Sequence, residues 1–188
     1  MLAAGGKDDI LALRQADDVL GGSFLSRFNT DIRETKHWSY GVGSAISTSE
    51  NRLYYLINAP VQADQTGPSL AALLADAKDF LGANGVTPEE LERTTNGSIR
   101  ELPGNFETSD AVLAALQKIV WLGRPDDYWE KIADRYRSMT AAQLDAAARA
   151  AIVPEKMVFV IVGDAKIVRP QLDALGIPVE TMPSPLAE

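Results

Sequence analysis

Cysteine is absent from the chain and histidine occurs once, at His37. The first absence removes disulfides, thiolate nucleophiles and thiolate metal ligands together, and it leaves the redox compartment open. The second rules out a self-contained histidine-based zinc site, which normally draws on histidines close in sequence. It also limits Ser-His-Asp catalysis to one possible base, and no serine sits in a nucleophile-elbow pattern. A phosphate loop is equally poor: Gly41-x-Gly43 falls inside a strand pattern with no strand-to-helix turn after it. Positive charge is in short supply, 18 Lys and Arg against 26 Asp and Glu for a net charge of -8. The cations are scattered along the chain, so the footprint of a nucleic-acid binder is missing. Long apolar runs are missing too. The longest, residues 157–162, has strand length, far below the roughly 20 residues that span a bilayer, so no membrane partner is expected. Residues 1–6 are mildly apolar without a basic region or a long hydrophobic core ahead of Lys7, a poor secretion signal.

What is present suffices for a folded unit. Apolar residues make up 46% of the 188 positions, and chains of this length bury roughly 70% of their unfolded surface. A single soluble domain over residues 1–188 is expected. Ile10, Leu13, Ala16 and Leu20 recur at helical spacing, and Gly21-Gly22 stand where a left-handed C-cap is wanted, so a first helix is predicted to end at Leu20. Ser23 is placed to cap a second helix with Phe24, Phe28 and Ile32 on its apolar core stripe and Arg27, Asn29 and Glu34 elsewhere on its surface.

From Trp38 the period changes to two. Tyr40, Val42, Ser44, Ile46 and Thr48 share one face of a strand, and Gly41, Gly43, Ala45 and Ser47 leave the other nearly bare. A turn at Ser49, Glu50 and Asn51 leads into a second alternating run from Arg52 to Pro60, an antiparallel hairpin. Helices are predicted over 70–81, from the capping box Thr87-Pro88-Glu90 onward with weakening at Asn96-Gly97, and over 112–122, 128–139 and 144–152. Residues 157–162 read as a buried strand, 168–175 as a short helix and 177–182 as a last extended piece. The order implies an α+β fold, an antiparallel or mixed sheet with helices packed on one face.

Chemistry concentrates in residues 20–47, LGGSFLSRFNTDIRETKHWSYGVGSAIS. Arg33, near the end of a helix, and Tyr40, near the start of a strand, are seven residues apart across a tight connection and could converge on one cleft. Equally, Arg33 could pair with a neighbouring acid and Tyr40 could be a half-buried strand aromatic.

Leu20-Gly21-Gly22-Ser23-Phe24, Ser26-Arg27, Arg33-Glu34 and Tyr40-Gly41 resemble the signature of the C-terminal, non-zinc domains of insulinase/pitrilysin-type zinc metallopeptidases, including mitochondrial processing peptidases. The strand and Gly163-Asp164 that lead to Leu172 and Gly176 are similar to the end of the same domain. The resemblance implies a substrate-binding half of a zinc endopeptidase acting on extended or unfolded peptides. It implies no cofactor in this chain: the zinc and general base come from a homologous partner domain or subunit. Arg33 and Tyr40 are then the substrate-binding pair, with Tyr40 also stabilising the transition state. A periplasmic location is implied only in the same way. The alternative is an inactive structural or assembly subunit, since the fold family includes such relatives.

Two departures stand out. The family has a glycine where this sequence places His37, so a position needing positive φ would be strained here. The family also has strands ahead of the first helix, so an incomplete sheet with an open edge is expected.

With one histidine and no cysteine, the purified chain should hold no stoichiometric zinc and hydrolyse no peptide on its own. Metal analysis finding one tightly held zinc per chain would contradict this.

Overall fold

The computed structural model describes residues 9–49 and 52–182; residues 1–6 and the turn residues Glu50 and Asn51 lie outside them. Helix α1 (Leu11–Asp17) does not stop at Leu20 but widens into a π-helical turn, Asp18–Gly22. The expected left-handed glycine cap is corrected accordingly. Gly21 is needed for close approach instead: a Cβ there would lie 2.3 Å from Ser44 Oγ and 2.7 Å from Phe28 Cδ2.

The second helix also begins later than the periodicity suggests. Ser26 precedes a short α2 (Arg27–Asn29) that opens into a second π-helical turn, Thr30–Thr35. Phe28 and Ile32 are fully buried as expected, but Phe24 stands ahead of the helix and is 66% exposed. Spacing alone gave Phe24 a core face that no helix provides.

Strands β1 (Gly43–Ser49) and β2 (Arg52–Asn58) form the predicted antiparallel hairpin, with Gly43 opposite Asn58 and Ile46 opposite Tyr55. Pairing starts at Gly43, later than Trp38; upstream, Ser39 makes an isolated bridge to Val61. Ile46 and Leu53 are buried on the inner face, and Ala45, Tyr54 and Leu56 are exposed on the outer one. The nearly bare face of β1 therefore looks to solvent.

The rest is helical: α3 (Thr66–Leu81), α4 (Pro88–Glu101), α5 (Ser109–Leu122), α6 (Tyr128–Arg137), α7 (Ala141–Ala151) and α8 (Ala165–Asp173). The capping box at Thr87 and Glu90 is present in both directions, and α4 runs through Asn96-Gly97 unbroken to Glu101. The buried strand expected at 157–162 is the largest departure. That segment is extended but unpaired among the described residues, and Val158, Val160 and Val162 are exposed. Its continuous apolar run has no described neighbouring strand to cover it. Residues 177–182 are likewise extended without strand pairing.

Helices cover one face of the hairpin. Ile10 and Leu13 of the α1 region pack on Ile46 and Leu53, with Ala147 and Ala151 of α7 against them. The larger core joins Leu20, Phe28 and Ile32 to Leu73 and Phe80 of α3 and Leu144 of α7. The architecture is thus α+β, with an antiparallel sheet and helices gathered on one side.

A buried polar cluster lies where α1 meets β1. Ser44 donates to Asp17, while Gln15 Nε2 donates to Asp18 Oδ2 at 3.0 Å and to Ser98 Oγ of α4 at 2.8 Å. Burial first, then the charges of Asp17 and Glu101, push the Asp18 carboxyl up to about 7 against a partial offset from Arg14. A raised folded-state value means that the folded chain binds a proton which the unfolded chain, near 3.8, has released. Stability from this group is therefore present in acid and lost as the pH rises through about 7. In Asp18→Asn, which keeps an acceptor for Gln15, the melting temperature should fall less between pH 5 and 8 than in the parent (pH values of about these magnitudes). Parallel melting curves for the two proteins would contradict this assignment.

Candidate functional site

Arg33 lies in the second π-helical turn and Tyr40 in the bend just ahead of β1. The connection between them is closed by its own backbone. The Lys36 N–H reaches the Asp31 carbonyl and the Trp38 N–H the Ile32 carbonyl, each at 3.0 Å. His37 sits at the apex with φ 58°, so the position does require the left-handed conformation. Its Nδ1 lies 3.1 Å from the Arg33 carbonyl oxygen, to which the protonated ring nitrogen donates. Trp38 then packs partly buried against the main core, and its carbonyl accepts from the Gln62 N–H at 2.9 Å. A rigid reversal results.

The two side chains differ in setting. The Arg33 guanidinium lies over the Phe24 ring, 4.6 Å from its centre, and Nε is 3.3 Å from Glu34 Oε1. That neighbouring acid was one of the two sequence expectations, but the pair is solvent-exposed and worth at most about 1 kcal/mol. Tyr40 is fully exposed, and its hydroxyl has no partner among the described residues. The half-buried strand aromatic is thereby corrected: the strand begins three residues too late to shelter it. No hydrogen bond or ring contact joins Arg33 to Tyr40.

A residue that sequence reasoning placed on the surface turns out to link them. Asn29 is 3% exposed; its Nδ2 donates to the Phe24 carbonyl at 2.7 Å, and its Oδ1 accepts from the Val42 N–H at 3.0 Å. One amide thus ties the turn that carries Phe24 to the start of the strand that follows Tyr40, from the residue immediately before the turn bearing Arg33. The sequence carried one signal for this: an Asn directly beside Phe28, the most deeply buried position of α2.

Neither Arg33 nor Tyr40 lines the cavity of about 470 Å³ walled by Ile10, Trp121, Trp129, Ile132 and Tyr136. Among the described residues no group of three or more histidine, cysteine or acidic side chains is arranged to hold a metal ion, and no helix is long and apolar enough to cross a membrane. The candidate site is an exposed stretch of the fold that carries two donors, the Arg33 guanidinium and the Tyr40 hydroxyl.

The sequence profile of the peptidase M16 inactive domain matches residues 4–98, more than half of the chain, and takes in both Arg33 and Tyr40. The chain belongs to the M16 peptidase family. The M16 inactive domain from Pseudomonas fluorescens superimposes with a TM-score of 0.72 at 25% identity, over 82% of this chain and 37% of that one. The inactive peptidase domain of a protein from Bordetella parapertussis assigned as a zinc protease gives 0.67 at 19% identity, over 81% and 82%. The periplasmic protease PqqL from Escherichia coli gives 0.59 at 18% identity, over 76% and 16%. The chain thus spans little more than a third of the Pseudomonas relative. A comparison with curated proteins gives no match. The resemblance read from the segment around Gly21-Gly22 and Ser26-Arg27 is confirmed, and with it membership among the M16 inactive domains.

Within this M16 domain the left-handed residue is a testable singularity. Histidine tolerates positive φ better than most side chains, whereas a β-branched residue does not. His37→Gly should unfold at a denaturant concentration no lower than the parent, and His37→Val should lose roughly 1–2 kcal/mol. Equal urea midpoints for parent and His37→Val would show that the connection relaxes away from φ 58°.

Proposed function

We propose that this M16 domain is the substrate-binding, non-zinc half of a zinc metalloendopeptidase that cleaves extended or unfolded peptides, with metal and general base supplied by a homologous partner domain or subunit. The observation that carries the reading is Tyr40, a fully exposed phenol without a partner among the described residues, one tight connection away from an arginine whose Nη groups make no hydrogen bond among them. Apposition of a second half would turn this open edge into a cleft. A periplasmic setting belongs to the proposal and draws support from the fold shared with PqqL.

In the closed cleft Tyr40 donates its hydroxyl to the scissile carbonyl oxygen as negative charge develops there, and exclusion of water strengthens that bond. Arg33 donates to a nearby peptide carbonyl and fixes the chain in register. Neither residue moves a proton in the chemical step. Activation of water and polarisation of the carbonyl would be the chemistry supplied by a zinc ion held in the partner half.

The test is steady-state kinetics of the assembled peptidase on an internally quenched peptide. Tyr40→Phe should lower turnover roughly one hundred-fold with little change in KM, because the lost bond matters mainly in the transition state. Arg33→Ala should raise KM as well as lower turnover. Melting temperatures should stay close to the parent, since neither side chain is part of the core. Parental turnover in Tyr40→Phe would overturn the catalytic role and favour a scaffold subunit of the same fold.

A further inference from the structure

Phe24 is an anomaly for a folded core. It is a large aromatic, 66% exposed, on a turn that ends where α2 begins, and neighbouring Leu25 is exposed as well. Its backbone is nevertheless tightly held: the Phe24 carbonyl accepts from buried Asn29 Nδ2 at 2.7 Å, and Asn29 is itself fixed by the Val42 N–H at 3.0 Å. The ring is thus an exposed platform on a rigid mount. Over it lies the Arg33 guanidinium, 4.6 Å from the ring centre. Stacking occupies the flat face of a guanidinium and leaves its N–H edge free, a geometry that a lysine cannot reproduce. Arg33 forms an ion pair with Glu34, Nε to Oε1 at 3.3 Å, and its Nη groups make no hydrogen bond among the described residues.

We propose that Phe24 is a positioning residue of the peptide site, acting through Arg33: its ring holds the guanidinium edge-outward so that the two Nη groups meet a peptide carbonyl without first being ordered. This rests on the substrate-binding reading of Arg33 given above. An arginine on a bare surface would sample many rotamers and lose that freedom on binding. The ring restricts it beforehand, and the Asn29 mount transmits the placement to the strand that follows Tyr40.

The experiment compares Phe24→Ala, Phe24→Trp, Arg33→Ala and the Phe24→Ala/Arg33→Ala double variant in the assembled peptidase, on the same quenched peptide. Phe24→Ala should raise KM about three- to five-fold, the scale of an exposed cation–π contact, and leave kcat within about two-fold. Its melting temperature should match the parent, because the side chain is mostly in water. Phe24→Trp, which keeps a stacking face, should restore the parental KM. On the Arg33→Ala background, Phe24→Ala should add nothing, since a residue acting through Arg33 has no effect once Arg33 is gone. A full additional rise in KM in the double variant would overturn the proposal by showing that the ring meets the peptide directly. An unchanged KM in Phe24→Ala, with a raised KM in Arg33→Ala, would overturn it while sparing the role of Arg33. A parental KM in Arg33→Ala would remove the reading on which it rests, a separate and recognisable result.

Discussion

The guanidinium of Arg27 is the anchor on which the rest of this arrangement hangs. It grips both oxygens of Glu90 at 2.8 Å, donates through Nη2 to the Gly85 carbonyl at 2.8 Å, and lies 5.0 Å from the centre of the Phe80 ring. Burial works against a charged Glu90, yet Arg27 and the Thr87 N–H hold its carboxyl below the usual range. The same carboxylate closes the N-terminal cap of α4. One ion pair therefore fastens the three-residue α2 to the end of α3 and the start of α4. Only 22% and 14% of the two side chains is exposed, so breaking this partly buried pair would cost more than the roughly 1 kcal/mol of a surface pair and less than the roughly 3–5 kcal/mol of a fully buried one. A domain has roughly 5–15 kcal/mol in total.

On that anchor the site is assembled from backbone geometry more than from side-chain contacts. Gly21 lets the first π-helical turn lie against Ser44, which brings β1 close enough for Val42 to reach Asn29. His37 reverses the chain and Trp38 pins the reversal to the core. Arg33 and Tyr40 are left at the two ends of a rigid hairpin of chain. On the proposed substrate-binding reading such a layout holds the donors in place in advance, because flexible donors would lose their freedom on binding.

The openness of the edge carries the functional sense. Among the described residues no metal-holding cluster accompanies Arg33 and Tyr40, in keeping with the half-site proposed above, and the family profile that the chain matches is that of an inactive domain. The outer hairpin face, with Tyr54 and Leu56, and the unpaired apolar segment 157–162 are likewise surfaces whose side chains are more apolar than solvent favours.

The sequence by itself determined the helix periodicity, the hairpin, the capping box of α4, the exclusion of a self-contained histidine-based zinc site, and the family through the residues around Gly21-Gly22 and Ser26-Arg27. These are local: spacing, turn chemistry and motif all act within a few residues. Even the left-handed apex was legible, because a glycine position in the resemblance pointed to His37. Only the tertiary structure decided which apolar and polar residues are buried. Phe24 fits a helical stripe by spacing, but the helix starts after it. Asn29 reads as surface, but the approach of β1 encloses it and employs both ends of its amide. Residues 157–162 are continuously apolar as a buried strand should be, but no described strand lies alongside. In each case the deciding partner is distant in the chain or absent from the described residues, and a pattern cannot show whether a partner is there.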